Sequence, residues 1–336
     1  MARDMIPISV VIPVRNSPSQ LKQCLQALLS NQMEAVEVIV IDDASTDDTG
    51  DVARQAAQEA AAPLQCLRLA RRSGPAAARN EGARLASSPL VFFLDSDVAL
   101  PPETIAWIRE TLEMHADRPD VIGVMGVYNE SIPWRDFCSN FKNIYVCFLH
   151  ETTPTVSPYL HTPILCMRRD VLERVGGFDE SLSTAEDFRL GLKLGALGYR
   201  FIVDRRIRGT HLKRLTFKGL LSEDSRRLRD LLRIQFDPER PPHTHEAHRI
   251  GRLLSVSLPI PILLMTAASF LSDTAFWSAV ALWISFFGSN LGFLRYASRK
   301  KGLLFGMKSA AFIFLEMAWA QGALVYWLVR LRLQIV

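Results

Sequence analysis

Beyond residue 252 the chain stops reading like an ordinary globular domain. Most charged residues precede Arg252, whereas Leu253 to Val329 is dominated by Leu, Ala, Phe, Trp and Ile. Three apolar stretches stand out there, Leu253–Leu271, Ala275–Leu294 and Leu303–Val329. The first two approach the roughly twenty residues that a helix needs to cross a hydrocarbon core. Pro259 and Pro261 should bend the first, which lipid tolerates. The connector Ser272-Asp273-Thr274 carries no basic residue, while Arg249 and Arg252 precede the pair and Arg295, Arg299, Lys300 and Lys301 follow it. The positive-inside rule then predicts a hairpin with both ends in the cytoplasm. The third stretch is interrupted by Lys308 and Glu316, and Arg330 and Arg332 would lie on the wrong side. A third span is nonetheless favoured over a re-entrant or interfacial helix. The expected organisation is a domain over 1–215, a basic amphipathic linker over 216–252, and a multi-pass membrane region over 253–336.

The net charge of +4 is too small to imply nucleic acid, and none is expected as a partner. Its placement says more. Arg200 to Arg252 holds fourteen Lys or Arg against seven Asp or Glu, directly before the apolar segment. Such a stretch suits the anionic cytoplasmic face of a membrane, although a solvated surface has the same composition. Within it Phe217, Leu220, Leu221, Leu228, Leu231 and Leu232 fall partly on one side of a helix, among Arg226, Arg227, Arg229 and Arg233. That is the pattern of a helix lying in the interface plane. Five cysteines with no C-x-x-C pair predict reduced thiols in a cytosolic compartment. The first apolar run, Ile8–Ile12, is too short for a signal peptide.

Ahead of the linker the periodicity alternates. Ile8–Ile12, Val36–Ile41, Leu64–Leu69 and Leu90–Leu94 read as strands, and Leu21, Leu25, Leu28 and Leu29 mark a helix between the first two. Strands alternating with helices across short polar turns predict an α/β domain with a mainly parallel sheet. In such sheets ligands bind outside the carboxyl ends of the strands. Two acidic clusters sit there. Asp42-Asp43 ends the second strand, where a carboxylate can accept from a base N–H or a ribose hydroxyl, or simply cap the next helix. Asp95-Ser96-Asp97 ends the fourth, where two carboxylates at i and i+2 can hold a divalent cation with a diphosphate, or cap a helix near Pro101.

Arg79 and Asn80 lie at a helix start after Gly74-Pro75, where Arg79 could pair with phosphate or with Asp95 and Asn80 could bond a base or backbone. Glu186-Asp187 precedes a helical pattern, so the helix dipole stabilises both anions. Helix capping alone would explain that pair, yet a carboxylate facing a diphosphate site is also what deprotonating an acceptor hydroxyl requires. From Gly123 to Tyr199 the pattern is irregular and aromatic-rich. His211 adjoins the basic segment, and the other mid-chain and downstream histidines, including His243, His245 and His248, read as linker without zinc spacing.

The ordered set Val11-Ile12-Pro13-Val14-Arg15-Asn16, Asp42 to Thr49, Gly74 to Asn80, Asp95-Ser96-Asp97, Gly176 to Glu180 and Glu186-Asp187 resembles the family 2 glycosyltransferases of the GT-A fold, over about residues 7 to 215. The resemblance implies a Rossmann-like GT-A catalytic domain and inverting transfer from a nucleotide-diphospho-sugar, with a UDP-sugar favoured. It implies that Pro13, Arg15 and Asp43 line the nucleoside pocket, with Arg79, Asp95 and Ser96 also on the donor. It further implies that Asp95 and Asp97, with His211, hold Mn²⁺ or Mg²⁺, and that Asp187 is the general base. Arg15 departs from the aromatic that many relatives carry there, so the base identity stays open; a guanidinium plane can also stack. Processive relatives carry Q-x-x-R-W before their spans, which this chain lacks, favouring single-sugar transfer. The acceptor is expected to be lipid-linked, a polyprenyl phosphate or glycolipid, with a soluble or polysaccharide acceptor and a non-catalytic sugar-nucleotide scaffold as alternatives. A dinucleotide-dependent oxidoreductase is disfavoured because no G-x-G-x-x-G follows the first strand.

Overall fold

The computed structural model describes residues 5–60, 62–238 and 257–334, which form two compact units, Met1–Arg214 and Leu215–Val336. The first is built on one mixed sheet. Its strands are β1 (Ile8–Val14), β2 (Val36–Asp42), β3 (Leu64–Arg68), β4 (Leu90–Leu94), β5 (Val98–Ala99), β6 (Val121–Tyr128), β7 (Val156–Ser157), β8 (Ile164–Arg168) and β9 (Arg200–His211). Their order is β3-β2-β1-β4-β8-β6-β9-β5, with β7 beside β9. β3, β2, β1 and β4 are parallel neighbours, β8 runs antiparallel between β4 and β6, and β9 is parallel to β6. β1 and β4 are buried along their whole length, as near-continuous β-branched and aromatic runs covered on both faces must be.

The helices that place the site are α1 (Pro18–Leu29), α2 (Thr49–Glu59), α3 (Pro75–Leu85), α4 (Thr104–Met114), α5 (Phe137–Thr152), α6 (Arg169–Arg174) and α7 (Glu186–Ala196). α3 opens with Pro75 at its first turn, where the missing N–H costs nothing. Leu21, Leu25 and Leu28 form the buried stripe of α1. All five cysteines are free thiols.

The irregular stretch of the sequence is thus regular structure. Two glycines, Gly123 and Gly126, make β6 look broken. They are there for close approach: a Cβ on Gly123 would collide with the Cys166 carbonyl, and one on Gly126 with Ile164 and Ile207. The strand therefore survives because its neighbours press on its backbone. Helix α4 starts at Thr104 rather than Pro101, and β5 intervenes, so the Asp95–Asp97 turn caps no helix.

The second unit contains α8 (Phe217–Gln235), α9 (Pro259–Ala268), α10 (Asp273–Lys301) and α11 (Leu303–Gln334). Among the described residues two helices, Asp273–Lys301 and Leu303–Leu331, are long and apolar enough to cross a membrane. The remaining apolar stretch has only the ten-residue α9 described as a helix, and its residues 253–256 lie outside the described residues, as do Arg249, Arg252, His243, His245 and His248. Pro259 and Pro261 stand in the first turn of α9, directly after a bend at Leu258. α8 is amphipathic and packs on α11: Phe217 meets Phe312 edge-on, Arg229 lies over Trp327, and the Trp327 Nε1–H donates to Ser225 Oγ at 3.0 Å. Trp283 of α10 stacks on Phe314 of α11, closing the two long helices into a hairpin around Gly302.

Candidate active site

The loops at the carboxyl ends of β1 and β2 are stitched together by side chains. Pro13 is buried at the end of β1, in register with Ile41 of β2. Asn16, in the left-handed region at φ 47°, accepts the Thr46 N–H on its Oδ1 while its own N–H donates to Ser45 Oγ. Asn tolerates this conformation better than most residues; Ala44, at φ 52°, does not, and marks local strain. Between these loops lies Arg15, half-buried, with its Nε enclosed and lacking a hydrogen-bond partner. A buried orphan donor invites an anion or an acceptor atom.

Asp43 is held by backbone. Its two oxygens accept the N–H groups of Ser73 (2.6 Å) and Gly74 (3.0 Å), so it fixes the loop that opens α3. Asp42 is fully buried and accepts the Ser45 N–H. Neither carboxylate caps α2, whose first turn is met by Asp47.

Five residues further along α3, Arg79 is a buried bridge. Its guanidinium donates to Asp95 at 2.7 Å and to Glu186 at 2.6 Å. Burial works against the Arg79 cation, but its two acidic partners Asp95 and Glu186 outweigh it and hold the guanidinium proton more firmly than usual. Burial pushes the Asp95 carboxyl upward, the neighbouring Asp97 charge adds to this, and Arg79 opposes it. Burial likewise raises Glu186 against the pull of Arg79. Of the alternatives open to Arg79 the structure realises the pairing with Asp95. Asn80 bonds backbone: it donates to the Phe178 carbonyl and accepts the Phe178 N–H, pinning the Gly176-Gly177-Phe178 turn.

The Asp95-Ser96-Asp97 turn is fixed at each end. The Asp95 N–H donates to the Pro163 carbonyl, the Val98 N–H returns to the Asp95 carbonyl, and the Leu212 N–H donates to the Asp97 carbonyl at 2.7 Å. Ser96 sits half-buried between them. Asp97 faces His211, whose Nε2 is 3.6 Å from Oδ2. Burial alone would raise the Asp97 carboxyl, but the His211 bond and charge, with the Lys213 charge, hold it below the usual carboxylate range. Asp187, beside Glu186 in the first turn of α7, is buried and accepts the Phe188 N–H at 2.7 Å. Because Arg79 joins Glu186 to Asp95, the start of α7 is tied to the acidic turn after β4.

His150 and His161, which read as linker, are part of the fold. Their rings and that of His211 surround Tyr128 at the end of β6: His211 stacks on it at 4.8 Å and 16°, His161 meets it at 5.6 Å and 81°, and His150 at 5.9 Å. Burial, with the His161 and Arg205 charges, keeps His150 far below the ordinary imidazole value and so neutral, and its Nδ1 accepts the Tyr128 N–H. The strand-end rule that located Asp43 and Asp95 would have found Tyr128 had β6 been recognised.

Among the described residues no three His, Cys, Asp or Glu side chains form a ready-made metal cage. Asp97 and His211 offer two donors on one side, with Asp95 beside them. That suits a hard cation whose remaining positions are filled by water and substrate phosphate.

The glycosyl transferase family 2 model matches residues 9–176. This chain belongs to that family. Among its curated relatives, the undecaprenyl-phosphate 4-deoxy-4-formamido-L-arabinose transferase of Pseudomonas savastanoi pv. phaseolicola is 30% identical over 142 residues, covering 41% of each chain. The succinoglycan biosynthesis protein ExoU of Rhizobium meliloti is 39% identical over 90 residues, 27% of this chain and 26% of its own. The match therefore spans well under half of these relatives' length. A solved structure of the mannosyltransferase PcManGT from Pyrobaculum calidifontis, in complex with GDP-Man and Mn²⁺, superposes with a TM-score of 0.64 at 22% identity, covering 94% of this chain and 90% of that one. That likeness establishes the GT-A fold.

Proposed function

We propose that this family 2 chain is an inverting, divalent-cation-dependent glycosyltransferase that moves one sugar from a nucleotide-diphospho-sugar to a lipid-linked acceptor at the cytoplasmic face of a membrane. The observation that carries the reading is the Arg79 bridge, which sets the Asp95–Asp97 turn beside the Glu186–Asp187 helix start. One end of that arrangement suits a diphosphate and the other suits an acceptor.

Pro13, Arg15 and Asp43 take the nucleoside: the orphan Arg15 Nε supplies a donor, and Asp43, held rigid by two backbone N–H groups, accepts from the base. Ser96 and Asp95 flank the ribose and diphosphate. Asp95, Asp97 and His211 would hold Mn²⁺ or Mg²⁺, which when bound supplies charge stabilisation to the departing phosphate. In the reaction the acceptor oxygen attacks the anomeric carbon from the face opposite the diphosphate. The bond to the diphosphate oxygen breaks, and the nucleoside diphosphate leaves with the electron pair. Asp187, in the first turn of α7, takes the acceptor hydroxyl proton. Inversion follows from this single displacement.

The lipid part of the reading rests on the two long apolar helices, on the basic α8 that packs with them, and on the undecaprenyl-phosphate named for one relative. The domain limits 1–215, 216–252 and 253–336 and the cytoplasmic placement of the catalytic domain belong to the same proposal. The test is to reconstitute the full chain in vesicles of extracted bacterial lipid and supply a panel of radiolabelled nucleotide sugars with Mn²⁺, UDP-sugars first. Label entering the organic phase supports the proposal. Label reaching only water-soluble saccharides would overturn the lipid acceptor, and no nucleotide release with any donor would favour a non-catalytic scaffold.

A further inference from the structure

We propose that Tyr128 is a positioning residue that orients the His211 imidazole toward Asp97. The inference deepens the proposed function, since it rests on Asp97 and His211 serving the cation. The His211 imidazole has two torsions to fix, and its Nε2 stands 3.6 Å from Asp97 Oδ2. The Tyr128 ring removes that freedom. It lies almost parallel to His211, at 16° and 4.8 Å between centroids, a spacing within the range of favourable aromatic pairs. Tyr128 cannot itself swing away. It is 6% exposed, it ends a strand paired to β9 next to Gly209, and the rings of His150 and His161 back it from other directions. His150 and His161 in turn meet each other at 4.5 Å. The main chain assists, because the Leu212 N–H that follows His211 donates to the Asp97 carbonyl and fixes the distance between the two backbones. Groups that orient a ligand without touching the ion are worth tenfold to a hundredfold in affinity at other metal sites.

The test uses the full chain in detergent, with histidine labelled at Cε1 with ¹³C and the His211 resonance assigned by its loss in His211→Ala. Stacking on Tyr128 should move the His211 Hε1 proton upfield. Tyr128→Phe should retain that shift, and Tyr128→Leu should abolish it; Tyr128→Met serves as a second non-aromatic variant where leucine prevents folding. In parallel, Mn²⁺ binding in the presence of UDP or GDP is followed by electron paramagnetic resonance. Tyr128→Leu should weaken it by about tenfold, Tyr128→Phe should restore it, and adding Tyr128→Leu to His211→Ala should weaken it no further. An unshifted His211 resonance in the native chain, or additive losses in the double variant, would overturn the proposal. Failure of the native chain to bind Mn²⁺ would instead strike at the cation reading, and the resonance would still decide whether Tyr128 orients His211.

Discussion

The acidic ends of β2 and β4 lie two strands apart in one sheet, yet they are held by different means. At β2 the hydrogen-bond partners of Asp42 and Asp43 are backbone N–H groups of Ser45, Ser73 and Gly74, and a charged neighbour, the exposed Arg68, stands 3.9 Å from Asp42. At β4 the partners are charged or titratable side chains, Arg79 on α3 and His211 at the end of β9, with Glu186, 107 residues from Arg79, joined through it. The first arrangement fixes the shape of one crossover. The second binds three distant elements into one electrostatic unit, so a change there should propagate farther. Buried charges that lose a partner cost more than a carboxylate that loses one of several hydrogen bonds.

The widest separation between the two ends should come from Arg79→Met, which leaves the buried Glu186 and the half-buried Asp95 uncompensated. It should cost about 3–5 kcal/mol in unfolding free energy, measured by denaturant titration of the full chain in detergent. A loss below that of Asp43→Asn would break the comparison. Asp187→Asn keeps the shape of the site and removes a proton acceptor, so kcat should fall on the order of 10²–10⁴ with donor affinity little changed. Loss of donor affinity with kcat retained would assign Asp187 to the donor. An acceptor that is already an anionic phosphate needs no base, so a small loss in kcat with a phosphate acceptor and a large one with a hydroxyl acceptor would sharpen the assignment. Asp97→Asn should reduce turnover roughly a hundredfold by weakening stabilisation of the leaving diphosphate, with thermal unfolding near that of the native chain. The smallest effect is expected from Asp43→Asn, which replaces one acceptor oxygen by a donor facing a backbone N–H. About 1–2 kcal/mol of stability should be lost, together with discrimination between bases, read by competition among nucleoside diphosphates.

The same contrast explains what could be read from residues alone. Of the parallel strands, β1, β2 and β4 are largely apolar runs ended by turn formers, and the two acidic ends fall where strand-end logic puts them. Arg79, Asp95 and Glu186 could each be singled out, but their convergence could not be read, because Arg79 and Glu186 are 107 residues apart in sequence and meet only through the fold. β6 was hidden by Gly123 and Gly126, whose purpose is visible only once β8 and Ile207 are seen against them. Losing that strand also concealed Tyr128 and made His150 and His161 look incidental. Local periodicity reports burial along one element; it carries no record of which elements press on a backbone from either side.

The most direct test of the central claim is nucleotide release by the full-length chain in lipid vesicles, measured with a nucleotide-sugar panel in Mn²⁺, in excess chelator, and in the Asp97→Asn variant. The account predicts release of a nucleoside diphosphate from one donor, matched by sugar in the lipid fraction and largely abolished by chelator and by Asp97→Asn. Undiminished release and transfer in excess chelator, or native turnover in Asp97→Asn, would contradict it.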